Sequence, residues 1–439
     1  MKEVRILSPQ GILGYGFPAA SFEAAIARKP HAIAVDAGST DGGPHKLGAG
    51  VGIVSKAAVK RDLGMMIRAG LENHIPVIVG SAGGSGGHPH IQWTIDVVKE
   101  LAKENGWNLK TAVIDATIDK SWLKQQLRAG EVKPMTGVPE LTEDDVDQAT
   151  EIVAQMGYEP YLEALNAGVD LIIGGRSYDP AMTVAACVHN GLNDIGLAYH
   201  MGKILECGAL CAIPGSTKDC VLGIMHPDNF IIESMNSTRF CTPISVAAHT
   251  LYEKSHPYLL AGPGGVTDLE HCTFEPVSDH AVRVKGSRFI PSEKYMVKLE
   301  GAKRVGYRSI FIGGIRDPLA IAAVDEIVDY GRSMVCDFLG ADKNKVFMDF
   351  KIYGKNGVMG DQEPVKEIRG HELCIVAEFV APTQEMAAAA CAYARSSMLH
   401  YHYTGRKATA GNLAFPFAPS DFDVGSTYQF NVYHLVPIG

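Results

Sequence analysis

The chain has 439 residues, a formal net charge of -9, 46% apolar residues and 20% charged residues. This length exceeds the roughly 250–300 residues that one hydrophobic core usually serves, so we expect two domains. The acidic balance gives no basic surface for nucleic acid, and no apolar run is long enough to span a bilayer. Neither nucleic acid nor a membrane is therefore expected as a partner, and a small-molecule substrate is favoured.

The nine cysteines are scattered and never spaced as Cys-x-x-Cys, which argues against a disulfide framework and against a structural zinc site. The first residues, MKEVRILSP, lack the succession of basic, apolar and small residues that marks a secretory signal. We therefore expect a cytoplasmic protein.

Five short apolar segments in the first 175 residues are typical of buried parallel strands: 4–8, 32–38, 75–80, 111–117 and 169–175. Helical patterns lie between them, and Thr142 is the predicted N-cap of the last: 19–27, 57–73, 91–105 and 144–167. This alternation predicts an α/β domain with a doubly wound, mostly parallel, Rossmann-like sheet. Residues 179–257 are predicted to be mostly helical and to extend this domain, which we place at 1–264.

From residue 265 onward the pattern changes, and a smaller α+β domain is predicted over 265–439. Apolar and polar residues alternate through 272–291 and 293–314, as they do in antiparallel strands. The rest of this domain is predicted as a helix over 318–339, strands over 345–353 and 372–381, a helix over 384–400 and a strand over 428–435.

Every predicted strand of the first domain is followed by polar or glycine-rich residues. Ligands of open α/β sheets bind outside the carboxyl ends of the strands, so these loops are the expected site. The loop after the third strand, SAGGSGGH, can direct N-H groups at a phosphate or carboxylate ahead of a helix. Its predicted ligand-binding residues are Ser81, Gly83, Gly84, Ser85 and Gly86. The alternative is a tight turn that requires positive φ angles.

The loop after the second strand places Asp36 and Asp41 on either side of Ser39 and Thr40. Carboxylates beside hydroxyl donors suit acid-base catalysis, so both aspartates are predicted to be catalytic and the two hydroxyls to bind substrate. Helix capping or an Asx turn is the alternative.

Polar residues that follow the fourth and fifth strands are also predicted to bind substrate: Asp115, Arg176, Ser177 and Asp179. Arg176 is the expected anchor for a carboxylate or phosphate, and an ion pair with Asp179 is the competing interpretation. His88 and His90 could join Asp36 around a divalent metal, but they more often cap a helix or face solvent. No metal is part of the main prediction.

A later helical segment, HMGKILEC, places His200, Lys203 and Cys207 on one face, with Glu206 close to Lys203. Lys203 and Glu206 are predicted to be catalytic, and His200 is predicted to bind substrate. Cys207 is either a nucleophile or, more often in such helices, a small core residue. His249 is interpreted as a core histidine.

Several motifs together resemble the acyclic terpene utilisation A family, once a domain of unknown function: DAGSTDGGP, GSAGGSGG, GGRSYDPA, HMGKILECGA, SVAAHTLYEKSHPY, GNLAFPFAPSD and FNVYHL. They cover nearly the whole chain. The resemblance implies a role in the catabolism of branched or hydroxylated acids and their CoA thioesters. It also implies a small ferredoxin-like partner protein, and it supplies no catalytic residues.

The main hypothesis is a hydratase or dehydratase that acts on a small hydroxy- or unsaturated carboxylic acid, free or as its CoA thioester. Asp36 or Asp41 would move the proton next to the carbonyl, Lys203 with Glu206 would assist the leaving group, and Arg176 would hold the acid. No cofactor is predicted. The alternatives are an isomerase or epimerase, a non-catalytic acyl-CoA or organic-acid binding subunit, and a nucleotide-dependent enzyme that uses residues 48–56. A homo-oligomer is expected as a base rate.

Overall fold

The structure is a computed structural model that describes residues 3–38, 43–407 and 409–438. The chain forms two compact units, one of Met1–Lys303 with Phe430–Gly439 and one of Arg304–Gln429. The domain boundary predicted after residue 264 is a separate assignment and stays a prediction. In the described part of the chain, none of the helices combines the length and the apolar character that crossing a membrane requires.

The strands of the first unit are β1 (Val4–Ser8), β2 (Ala32–Asp36), β3 (Val77–Gly80), β4 (Thr111–Ile114), β5 (Lys133–Pro134), β6 (Ala149–Ala154), β7 (Leu171–Gly174), β8 (Val221–Met225), β9 (Phe230–Ser234), β10 (Leu259–Gly262), β11 (Gly265–Asp268), β12 (Thr273–Ser278), β13 (Ala281–Lys285) and β14 (Arg288–Pro291). Its helices are α1 (Ala19–Ala27), α2 (Pro44–Ala49), α3 (Lys56–Asn73), α4 (His88–Asn105), α5 (Lys120–Arg128), α6 (Glu143–Gln148), α7 (Glu159–Asn166), α8 (Ala181–His189), α9 (Ile195–Leu205) and α10 (Pro243–Thr250). The chain then continues through β15 (Met296–Ile315), α11 (Pro318–Ala322), α12 (Val324–Leu339), β16 (Phe347–Tyr353), β17 (Leu373–Ala381), α13 (Gln384–His400) and β18 (Asp421–Pro437).

The largest sheet formed by the described residues has nine strands, in the order β12, β13, β9, β8, β1, β2, β3, β7, β4. Five neighbouring strands are parallel to one another, namely β1, β2, β3, β7 and β4, and they are the five strands predicted from the sequence. The other four extend the sheet in antiparallel fashion. The mixed α/β class is therefore confirmed, whereas the doubly wound Rossmann-like arrangement stays a prediction.

Alternate residues of the central strands enter two different apolar clusters, because successive side chains of a strand point to opposite faces. Leu7 and Ile33 pack with residues of α1, α3 and α4. Ile6 and Ala34 pack with residues of α7, α8 and α9. Helices thus cover both faces of the central strands, and the loops at the carboxyl ends of these strands form the site described below.

The helix predicted over 144–167 is wrong, because the chain there forms α6, β6 and α7. Thr142 does cap α6, as predicted, and its hydroxyl accepts a hydrogen bond from the N-H of Asp145. The helix stops there because Ile152 and Val153 are β-branched residues in a strand that pairs with residues 299–303 of β15.

The segment 179–257 is less helical than predicted, since it contains β8 and β9 as well as α8, α9 and α10. Val221–Met225 is a fully buried apolar run of five residues, and hydrophobic periodicity alone does not distinguish such a run from part of a buried helix. The alternating segment 272–291 does form strands, but β12 and β13 join the large sheet of the first unit.

The second unit has a core of its own. Within it, β17 pairs antiparallel with β16 and with residues 307–315 of β15. Phe311 and Phe379 are fully buried and share one apolar cluster with Ile327 of α12 and Ala394 of α13. This unit is therefore an antiparallel sheet with helices packed against it.

Candidate functional site

A cavity of about 140 Å³ lies in the first unit, beside the carboxyl ends of β1, β2 and β7. Asp36 ends β2, and Arg176 and Asp179 follow β7, while Glu206 comes directly after α9. The loop after β1 and the segment after α10 complete the wall. The lining residues are Gly11, Ile12, Tyr15, Asp36, Gly38, Arg176, Asp179, Glu206, Cys207, Leu210, Thr217, Tyr252 and Glu253.

Asp36 is a buried carboxyl group with an incomplete set of partners. Its side-chain oxygen Oδ1 has no hydrogen-bond partner among the described residues. Burial and, after it, the nearby Asp179 carboxylate raise the pKa of Asp36 well above its ordinary value, while Arg176 opposes them. A carboxyl group with this surrounding keeps its proton to a higher pH than an exposed aspartate and suits the role of a general acid.

Glu206 is the second buried carboxyl group of the cavity, and it forms an ion pair with Lys203 one turn earlier. Burial raises the pKa of Glu206 to about 7, and Lys203 limits the rise. Burial acts to lower the pKa of Lys203, but Glu206 outweighs it and the pKa is raised. Glu206 Oε2 has no hydrogen-bond partner in the described chain, so this oxygen can act as a base near neutral pH.

Arg176 is buried and already paired. Its Nε and Nη2 donate to Glu300 of β15 at 2.8 and 3.4 Å, and Lys298 lies 2.7 Å from the same carboxylate. Its Nη1 donates to the hydroxyl of Ser81 at 3.2 Å and lies 3.6 Å from Asp179. The ion pair with Asp179 that competed with the anchor interpretation is therefore present, together with a stronger one to Glu300.

The glycine-rich loop after β3 packs against Arg176. The N-H groups of Gly84 and Gly86 donate to carbonyl oxygens of the same loop, and the N-H of Arg176 donates to the Gly86 carbonyl at 3.1 Å. At the N-terminus of α4, the carboxylate of Glu151 accepts from the N-H of His88 at 3.3 Å. The bond to the Gly86 carbonyl ties the backbone of Arg176 to this loop. The loop's predicted binding of an external anion stays a prediction.

The remaining predicted residues lie elsewhere or outside the described chain. Ser39, Thr40 and Asp41 are not among the described residues. Gly83 and Ser85 belong to the glycine loop and do not line the cavity, and Asp115 has a half-exposed side chain that accepts from the Thr117 N-H.

His200 is fully buried, with its ring nitrogens bonded to the hydroxyls of Ser287 and Thr250 at 2.7 and 3.0 Å. Burial lowers the pKa of His200 to about 3, so the ring is neutral. Ser177 is also buried, and its hydroxyl is bonded to Tyr161 and to the Gly175 carbonyl. Both residues support the cavity from outside its lining.

His88 and His90, the two histidines considered for a metal site, have different surroundings. His90 Nε2 lies 3.1 and 3.2 Å from the carbonyl oxygens of Lys46 and Val51, whereas the His88 side chain is mostly exposed. Over the described ranges, no group of three or more His, Cys, Asp or Glu side chains has a metal-binding arrangement.

The structure adds residues that no strand-end signal indicated, among them Thr217, Tyr252 and Glu253. Two non-glycine residues with positive φ lie at the site, Ser81 at 47° and Glu253 at 58°. Such backbone strain often accompanies functional sites. The positive φ angles of Ser81, Gly83, Gly84 and Gly86 agree with the tight turn that is the alternative interpretation of the loop after β3. Cys207 does line the cavity, where burial raises the pKa of its thiol and disfavours the thiolate that a nucleophile needs.

A family model described as "Acyclic terpene utilisation family protein AtuA" matches residues 56–414, well over half of the chain. No curated protein and no solved structure matches the chain.

Proposed function

Because the chain belongs to the acyclic terpene utilisation family described as AtuA, and so has a catabolic role, we propose that it is a lyase of the hydratase or dehydratase type. The proposed substrate is a small hydroxy- or unsaturated carboxylic acid, free or as its CoA thioester. The cavity volume of about 140 Å³ suits the reacting end of such a molecule and leaves a bulky remainder outside.

In the dehydration direction, the ionised Glu206 takes the proton from the carbon next to the substrate carbonyl. Asp36 gives its proton to the departing hydroxyl group, the C-O bond breaks, and the products are a C=C double bond and water. Proton exchange with solvent restores both carboxyl groups. These roles are the reverse of those expected from the sequence. Glu206 is the base because its partner Lys203 favours the ionised form, whereas Asp36 lacks a lysine partner and keeps its proton.

The observation that carries the proposal is the presence in one cavity of two carboxyl groups with raised pKa values and unpartnered oxygens. Acid-base enzymes use such pairs because burial keeps one group protonated and lets the other act near pH 7. An isomerase or epimerase would use the same two groups. It differs in returning the proton to carbon instead of releasing water.

The test begins with a thermal-shift screen of organic acids and acyl-CoA esters to find a ligand. Turnover of that ligand is then compared in the wild type, Asp36→Asn and Glu206→Gln. Each variant is expected to lose roughly 10²–10⁴-fold in kcat while still binding the ligand, since each removes one proton-transfer group. Wild-type activity should rise with pH through about 7, where Glu206 ionises.

Asp279→Asn is the matched control, because it neutralises an exposed aspartate outside the cavity lining. Full turnover in both cavity variants would contradict the proposed chemistry. It would favour the alternative that the chain is a binding subunit whose partner performs the reaction.

A further inference from the structure

The acidic side chains of the cavity outnumber its cationic ones. Among the described residues, the lining includes the acidic side chains of Asp36, Asp179, Glu206 and Glu253 and one cationic side chain, that of Arg176. A carboxylate ligand needs a cation with hydrogen-bond donors to spare, because burying an unpaired charge is costly. Arg176 and the lysines near it are the cations that could bind such a carboxylate.

Arg176 has little left to offer at the side that faces the cavity. Its Nη1 donates to the Ser81 hydroxyl at 3.2 Å and to the Ser177 carbonyl at 3.4 Å, and it also faces Asp179. Glu300 accepts from its other two nitrogens. Four of the five N-H groups of the guanidinium are thus engaged, so a second carboxylate could bind through two N-H groups only by displacing an existing partner.

Lys203 and Lys254, which lie near Glu206, each contact another side chain. Lys203 is paired with Glu206 and is nearly fully buried. The ammonium of Lys254 lies over the ring of Tyr178, 5.5 Å from its centroid, and Lys254 is not among the lining residues. An incoming carboxylate would therefore meet mainly other carboxyl groups.

The unpartnered groups of the cavity call for a different ligand. Asp36 and Glu206 each have a buried oxygen without a partner in the described chain. A neutral ligand oxygen, of a hydroxyl or a carbonyl group, can accept the proton of Asp36, and the acidic C-H next to an uncharged carbonyl can approach Glu206. An uncharged carbonyl group satisfies both without adding charge.

We infer that the group bound in this cavity is an uncharged carbonyl, as in an ester, thioester or amide, and not a free carboxylate. The inference rests on the proposed function for the orientation of the ligand, which places the C-H next to its carbonyl at Glu206 and its hydroxyl group at Asp36. It narrows the substrate class of that function to acids whose carboxyl group is esterified or amidated.

The experiment measures binding by ligand-detected NMR for short carboxylates from acetate to hexanoate and for the methyl esters of the same acids, at a pH where the acids are ionised. For the wild type, we expect the esters to bind at least about tenfold more tightly than the acids. A repulsion of about 1.4 kcal/mol between the ligand carboxylate and a carboxyl group of the cavity produces this difference. Acids that bind as tightly as the esters would overturn the inference. A panel in which no ester binds would overturn it as well.

A charge-changing variant supplies a gain of binding that misfolding would not produce. Asp179→Asn removes the carboxylate that faces Arg176 Nη1, so the variant is expected to bind the acids roughly tenfold more tightly than the wild type does. Asp279→Asn makes the same change of charge at an exposed aspartate outside the cavity lining and should leave acid binding unchanged. Equal gains in both variants would contradict a local effect.

Binding and turnover separate the two proposals. Hydroxy- or unsaturated esters that bind but are never converted would leave this inference standing while the proposed lyase function fails. Turnover of a free acid at the Asp36 and Glu206 carboxyl groups would support the lyase function and overturn the inference.

Discussion

At the scale of single residues, Glu300 is the group that keeps Arg176 charged and fixed. Arg176 and Lys298 outweigh the effect of burial and hold the pKa of Glu300 at about 2, below the ordinary value of 4.5. A carboxyl group whose pKa is lower in the folded state stabilises the fold above its unfolded pKa. That stabilisation is lost as the pH falls through the folded pKa.

We therefore predict that the free energy of unfolding gained from Glu300 is complete above about pH 4.5 and falls by roughly 3 kcal/mol as the pH approaches 2. Urea unfolding at several pH values, compared between the wild type and Glu300→Gln, measures it. The difference in the free energy of unfolding between the two proteins should narrow as the pH falls.

Glu293→Gln is the control, because Glu293 is an exposed glutamate of the same region. A gap for Glu300→Gln that stays constant over this pH range would show that the carboxylate is not held by Arg176 and Lys298 as described.

At the scale of elements, the loop between β3 and α4 depends on a glycine that contacts the segment just after β7. Gly86 has φ of 62°, and a Cβ atom there would lie 2.1 Å from the backbone nitrogen of Arg176. Gly86→Ala is expected to reduce the free energy of unfolding by roughly 2–5 kcal/mol, because it adds a backbone clash to the strain of positive φ. Urea denaturation gives the value.

Gly106, which ends α4, provides a matched control with φ of 69° and no atom within 4 Å of an added Cβ. Gly106→Ala pays only for positive φ, about 1–2 kcal/mol. If the two variants lose the same amount, the close contact between Gly86 and the backbone of Arg176 has no energetic weight.

The elements that the sequence predicts best are those with a clear period and clear ends. The helices Ala19–Ala27 and Gln384–His400 have the bounds predicted for them, and so does the strand Val4–Ser8. β8 and β6 were missed because a short apolar run or a few β-branched residues do not decide between helix and strand without knowledge of the neighbouring strand. Tertiary pairing with β1 and β15 settles these two cases.

The residues of the site also include some that the sequence indicates and some that it does not. Asp36, Arg176 and Asp179 are polar residues at strand ends, so the rule for parallel sheets indicated them, and the structure brings them to one cavity with Glu206. The partner that neutralises Arg176 was not foreseeable, since Glu300 lies 124 positions away in the sequence. A charge pattern read along the chain identifies an arginine, but it does not tell whether that arginine is already paired.

At the scale of the whole molecule, the described chain has separate apolar clusters in its two compact units. Phe379 of β17 is fully buried in the cluster of the second unit, beside Phe311. Phe379→Ala is expected to cost about 3–5 kcal/mol, and hydrogen exchange should accelerate mainly in residues 304–429. Amides of β2 and β3, which carry Asp36 and the glycine loop, should keep their exchange rates.

Phe347 is the matched control, since it lies on the neighbouring strand β16, opposite Val380, with a side chain that is 60% exposed. Phe347→Ala should change the free energy of unfolding by less than about 1 kcal/mol and leave the exchange pattern unaltered. Faster exchange in β2 and β3 on mutation of Phe379 would mean that the cluster of the second unit also stabilises the strands that carry the cavity. In that case, substitutions far from Asp36 and Glu206 would alter ligand binding through stability alone, and each activity measurement would need a matched measurement of folding.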